Sequence, residues 1–197
     1  MAKKKKNPRG YSGRKVNTRE VKQRFLIVCG GEETEKNYFD CFRVPGNVIR
    51  VKGLNKDPDT LINKTIEYQQ QDEYDQVWCV FDKYDFQNFN STIKKAKNQG
   101  FEVAYSNEAF ELWYVLHFEF LSTAIPRKDY INKLNTLLRQ KYEKNSDTIY
   151  DDLFDRQETA IKNAENLLKQ YYTPNPAQDN PSTTVHELVK ALNKQYR

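Results

Sequence analysis

Two groups of acidic side chains follow two short apolar runs, and their types suit chemistry on a divalent metal. Glu32, Glu33 and Glu35 come after Phe25-Leu26-Ile27-Val28-Cys29-Gly30-Gly31, and Asp82 and Asp85 come after Val77-Trp78-Cys79-Val80-Phe81. Carboxylates that share a pocket repel one another unless a cation joins them. Hard oxygen ligands in a chain with two histidines suit Mg²⁺ or Mn²⁺ rather than zinc. Such an ion activates water and stabilises the charge that develops when a phosphodiester is cleaved. The plainer alternative is structural, because Glu in a first helical turn complements the helix dipole and Asp after a strand caps a turn. His117 falls on the same helical face as Phe110, Trp113 and Tyr114, which favours a core imidazole over a catalytic one.

The elements that must position these groups read as an α/β domain. The run Phe25 to Cys29 is apolar without alternation, as in a parallel strand covered on both faces. The two glycines after it let the chain turn sharply. They form neither the dinucleotide fingerprint nor a P-loop, since a third spaced glycine and a Gly-Lys-Ser/Thr are both missing. Further strands are expected at Asn47–Lys52, Gln76–Phe81 and Phe101–Tyr105. Helices are expected at Thr34–Phe42, Asp57–Gln71, Ser91–Asn98 and Glu108–Glu119. Asp57-Pro58 is a strong helix start. Strands alternating with helices predict a roughly four-stranded, mainly parallel sheet flanked by helices. Parallel neighbours bring their carboxyl ends together, so acids distant in sequence can converge there. After Pro126 the pattern is helical only, with helices expected at Arg127–Lys141 and Arg156–Tyr172. A Pro-rich loop follows, and Asn180-Pro181 is expected to cap a last helix.

At 197 residues the chain suits one domain with a sizeable core. We divide it into a basic arm (residues 1–23), an α/β core (24–121) and an all-helical C-terminal part (122–197). No apolar run reaches the roughly 20 residues of a membrane span, and the basic N-terminus lacks the apolar segment of a secretory signal. Cys29, Cys41 and Cys79 are odd in number and lack metal-type spacing, so free thiols in a reducing cytoplasm are expected. Up to Arg24 there are ten basic residues against Glu20 alone, giving +9, so the remainder carries −4 of the net +5. Lys3, Lys4, Lys5, Lys6, Arg9, Arg14 and Lys15 are therefore candidates to contact nucleic-acid phosphates, against the alternative of a solubilising tail.

Four stretches resemble the RloB-like proteins: Phe25 to Glu35 with Asn37-Tyr38-Phe39, Val80-Phe81-Asp82, Ser106 to Phe118, and Asn180 to His186. That family is associated with restriction-modification loci and abortive phage infection, and its core is similar to the Toprim fold of topoisomerases and primases. The resemblance implies a metal-dependent nuclease of antiviral defence, acting on RNA or DNA with Mg²⁺ or Mn²⁺. Asp82 would be the principal ligand, with Asp85 and Glu111 supporting it. Glu111 is an acid on an otherwise apolar helix, and burial would demand a partner or a metal. Lys83 would stabilise a phosphate, and His117 would act as an indirect donor. The chain departs from the family pattern at two places. Gly30 stands at the Toprim glutamate, so Glu32 or Glu35 must supply that carboxylate, and Tyr84 stands at the second aspartate of Asp-x-Asp. A second reading is therefore a nucleic-acid-binding or sensor subunit with impaired chemistry, working with a partner protein of the defence system. A third is a protein-interaction module.

Overall fold

The computed structural model describes residues 23–42, 49–84 and 86–196. Its centre is a five-stranded sheet in the order β2-β1-β3-β4-β5. β1 is Phe25–Cys29, β2 Ile49–Gly53, β3 Gln76–Asp82, β4 Glu102–Asn107 and β5 Ser182–Thr183. The first four strands are parallel and β5 is antiparallel to β4. The expected parallel sheet is thus present, with one strand more than expected.

β1 and β3 read as continuous apolar runs because both sheet faces are covered. Phe25, Ile27, Cys29, Trp78 and Val80 belong to one core cluster, whereas Leu26, Val28, Val77, Cys79 and Phe81 belong to the other. Side chains alternate along a strand, so Asp82 turns to the same face as Trp78 and Val80. The Phe81 face is closed by α2 (Pro58–Gln69) and α3 (Phe89–Asn98), through Leu61, Ile62, Phe89, Ile93 and Ala96. At the start of α2, Asp57 Oδ1 accepts from the Thr60 N–H at 3.0 Å and Pro58 takes the first helical position, as the sequence predicts.

The Asp82 face is covered by the remaining helices: α1 (Thr34–Asp40), α4 (Glu111–Val115), α5 (Arg127–Leu138), α6 (Ile149–Phe154), α7 (Gln157–Leu168) and α8 (Val185–Asn193). One hydrophobic cluster runs from Phe25 on β1 through Trp113, Tyr130 and Leu153 to Leu192 on α8. The C-terminal part is therefore the second layer over the sheet.

Three expectations need correction. The C-terminal part is not all-helical, because Ser182-Thr183 adds the fifth strand. Buried polar contacts hold it there: Ser106 Oγ lies 2.9 Å from Thr183 Oγ1, and the Tyr105 N–H donates to Thr184 Oγ1 at 3.0 Å. The helix expected over Glu108–Glu119 is only Glu111–Val115, followed by turns. α6 also arises where no helix was expected. The first two residues of the strand expected at Asn47–Lys52 lie outside the described residues, as does the basic arm through Lys22.

A buried acidic centre at the carboxyl end of the sheet

The double-glycine bend packs directly against the end of β3. The Gly30 N–H donates to the Val80 carbonyl at 2.8 Å, and a Cβ placed on Gly30 would meet Phe81 Cβ at 3.5 Å. Asp82 lies two residues beyond Val80, so the ends of β1 and β3 do meet. The loop after β3 is tied in turn to the segment after β4, through Lys83 N–H to Ser106 O at 2.9 Å and Tyr84 N–H to Glu108 O at 3.1 Å. These backbone bonds bring three segments distant in sequence to one end of the sheet.

Glu35, in the first turn of α1, folds back over this bend. Its carboxylate fills the space that a Cβ on Gly31 would need, with Cδ 2.9 Å from that position. Glu35 is buried, and its carboxyl is pushed up to about 8, first by burial and then by the negative field of Asp82. A carboxyl with that pKa is mostly protonated at neutral pH. Asp82 is itself raised by burial, against the lowering effect of the Arg127 guanidinium. Glu111, at the start of α4, is only 2% exposed, and its negative field raises both Glu35 and Asp82.

Two cations from the C-terminal layer close the centre. Arg127, the first residue of α5, reaches Asp82 with both arms of its guanidinium: Nη1 to Oδ1 at 3.3 Å and Nη2 to Oδ2 at 3.1 Å. The same guanidinium lies over the Tyr84 ring, 4.7 Å from its centroid. Lys144 Nζ stands 3.6 Å from Glu111 Oε1, an oxygen that is buried and makes no hydrogen bond. The centre is graded in depth. Glu35 and Glu111 are at the bottom, Asp82 is at the mouth with 16% of its side chain exposed, and Arg127, Lys144 and the half-exposed Tyr84 are at the rim. Two ion pairs, Asp82 with Arg127 and Glu111 with Lys144, offset the negative charge of the centre.

The other sequence candidates fall elsewhere. Glu32 is exposed, and it is the backbone of this residue that packs against Gly53. Lys83 directs its ammonium to the Tyr84 carbonyl at 3.1 Å. His117 is fully buried against the Trp113 ring with Nδ1 2.8 Å from the Trp113 carbonyl, and burial pushes the imidazole down to about 4. It is a neutral core side chain. Asp85 lies outside the described residues. Arg127 and Lys144 were missed, although Arg127 left a trace in the sequence. A cation at the first position of a helix opposes the dipole, and it is stabilised there when an anion faces it.

As folded, the centre does not fit Mg²⁺ or Mn²⁺. Asp82 is engaged by a guanidinium, burial pushes the Glu35 carboxyl up to about 8, and among the described residues no group of three or more His, Cys, Asp or Glu side chains is arranged to hold a metal ion.

A family model described as RloB-like protein matches residues 25–192, most of the chain. The chain belongs to the RloB-like family. Membership ties it to a defence or restriction-modification setting and to nothing finer. No curated protein and no solved structure gives a significant match. The matched region of this RloB-like chain contains the whole acidic centre. Two stretches of the family resemblance, Ser106-Asn107 and Ser182-Thr183, are paired with each other in the sheet.

Among the described residues no helix is long and apolar enough to cross a membrane.

Proposed function

We propose that this RloB-like protein is a nuclease of phage defence, cleaving phosphodiesters of RNA or DNA in the cytoplasm at the carboxyl end of its sheet. One observation carries the reading: Glu35, Asp82 and Glu111 come from separate segments and converge beneath a cationic rim of Arg127 and Lys144. Guanidinium and ammonium groups at the mouth suit an anionic phosphate, and carboxyls with separated protonation states suit acid–base work. Arg127 and Lys144 neutralise the phosphate charge. Water attacks phosphorus and gives its proton to Asp82, which the guanidinium leaves as it engages the phosphate. The bond to the leaving oxygen breaks, and Glu35 supplies the proton that oxygen takes up. The Lys- and Arg-rich arm holds the backbone of the same strand.

A second reading is favoured by the Asp82–Arg127 pair itself. A carboxylate already satisfied by a guanidinium is what a binding or sensor subunit would keep after losing its chemistry, with cleavage left to a partner protein of the defence system. Labelled single-stranded RNA and DNA, incubated with the wild type, Asp82→Ala and Glu35→Gln with and without Mn²⁺, separate the two. The nuclease reading expects cleavage that falls about 10²–10⁴-fold in both variants. Salt-sensitive binding without cleavage, abolished on removal of residues 1–24, supports the sensor. Neither binding nor cleavage leaves a protein-interaction module.

A further inference from the structure

The Tyr84 ring sits half-exposed at the mouth of the centre, on a backbone that does not favour it. We propose that this ring is a stacking platform for an unpaired nucleobase, with a phosphate of the same strand held by Arg127 and Lys144, so that the site takes single-stranded nucleic acid and not a duplex. The inference rests on the phosphodiester reading above and names the substrate class of that same site.

Three observations support it. Tyr84 lies in the left-handed region at φ 33°, which a bulky side chain adopts at a cost and glycine or asparagine adopts readily. It is pinned there by its N–H to the Glu108 carbonyl at 3.1 Å, and the ring is outside the core. Neither local conformation nor packing therefore accounts for a tyrosine. Next, the Arg127 guanidinium lies over the ring, 4.7 Å from its centroid, while half of the residue stays open to solvent. Four large apolar side chains are exposed among the described residues, Tyr84, Phe120, Phe154 and Tyr172, and Tyr84 is the one that a cation covers in this way. Finally, the surroundings are cationic. Lys83 Nζ is 3.1 Å from the Tyr84 carbonyl, and Arg127 and Lys144 expose about a third and two fifths of their side chains. Every nucleotide sets a phosphate beside a flat ring, and here a guanidinium stands beside an exposed one. A duplex offers a protein only the edges of its bases. A base can lie on a tyrosine once it is unpaired and splayed out, and rings among positive charges are how single strands are held without regard to sequence.

Fluorescence anisotropy in a metal chelator reads binding without turnover. Full-length wild type, Tyr84→Ala, Tyr84→Asn, Tyr84→Phe and Tyr84→Trp are titrated against a short labelled single strand, the same strand with every base replaced by an abasic site, and the duplex. Tyr84→Ala and Tyr84→Asn should bind the single strand roughly 5- to 150-fold more weakly, whereas Tyr84→Phe and Tyr84→Trp keep a ring and should stay near wild type. Asparagine suits the left-handed backbone, so Tyr84→Asn still reports if Tyr84→Ala fails to fold. On the abasic strand and the duplex all five proteins should bind alike, because the phosphates are present and a free base is not. A loss of equal size on the abasic strand would overturn the stacking, as would unchanged affinity of Tyr84→Ala and Tyr84→Asn for the single strand. A nucleoside monophosphate that displaces the strand at equal concentration would give the site to a free nucleotide and overturn its assignment to a strand. Base-dependent binding that needs Tyr84, with no cleavage by any sample in Mg²⁺ or Mn²⁺, keeps the platform and sinks the nuclease reading. Cleavage of single strands and duplexes alike by both wild type and Tyr84→Ala does the reverse, so the two fail separately.

Discussion

The Glu35 carboxylate lies across Gly31 so closely that a single added methyl on the glycine would displace it, standing 2.9 Å from Glu35 Cδ. The position beside it is different, since a Cβ on Gly30 meets its neighbours at 3.5 to 3.7 Å, which is ordinary van der Waals separation. Gly31→Ala should therefore destabilise the fold by about 1–3 kcal/mol through forced repacking, while Gly30→Ala should stay within about 1 kcal/mol of wild type. Urea unfolding of both variants measures the contrast. Equal effects would mean that the carboxylate does not occupy the place described.

The raised pKa of Glu35 has a definite sign in stability. Its carboxyl is pushed from 4.5 up to about 8 in the folded chain, so the native state holds a proton that the unfolded chain has released. Between those two values this residue makes the protein less stable as pH rises. Glu35→Gln mimics the neutral acid, and its stability advantage over wild type should grow from about pH 4.5 to about pH 8 and then level off. Taking the difference between the two proteins isolates Glu35 from His117 and His186. Those imidazoles are held near 4 and cost stability in the opposite sense, as pH falls below their ordinary value. Denaturation midpoints from pH 4 to pH 9 give the profile, and a flat difference would contradict the buried proton.

His117 offers a control for the site. Its ring is fully buried with Nε2 unpartnered, beside Trp113 and remote in role from the acids. His117→Gln should cost about 1–3 kcal/mol of stability, in the usual range for a packed core position. Nucleic-acid binding and cleavage by the folded variant should not change. A large fall in either at full folding would return the imidazole to the chemistry.

Residues 1–22 hold nine Lys and Arg against one Glu. Deleting them should lower affinity for single-stranded RNA or DNA at low salt by roughly ten-fold or more. The dependence of log K on log salt should flatten by about 0.7 for every phosphate that the arm neutralises. Fluorescence anisotropy at several salt concentrations reads both quantities. An unchanged slope would assign the arm a solubilising role.

How legible each part was follows from how local its cause is. Phe25–Cys29 and Gln76–Asp82 could be read as strands because covering both faces demands an unbroken apolar run. Asp57-Pro58 marked the start of α2 because capping acts within three residues. β5 could not be read, because Ser182 and Thr183 are polar and are buried by bonds to Tyr105 and Ser106, some 77 to 78 residues away. The helix around Glu111 was overestimated, since an apolar stretch buried on all sides looks the same in a short helix and in the turns that follow it. Within the centre, Asp82 was legible at the end of an apolar strand and Glu111 as an acid on an apolar helix, whereas Glu35 was only one of two carboxylates, with Glu32, offered in place of Gly30. Which cation each would meet depends on where the later helices cross the sheet, and so Arg127 and Lys144 went unseen.

Both cations of the centre come from after the seam drawn at residue 121, and all three of its acids from before it. A fragment ending there would expose the apolar side of its sheet and keep the repelling carboxyls, while the complementary fragment would carry its helices and β5 with no sheet to join. Neither piece should be expressible as a stand-alone protein. Mixing the two should restore ellipticity and thermal resistance together, if it restores either.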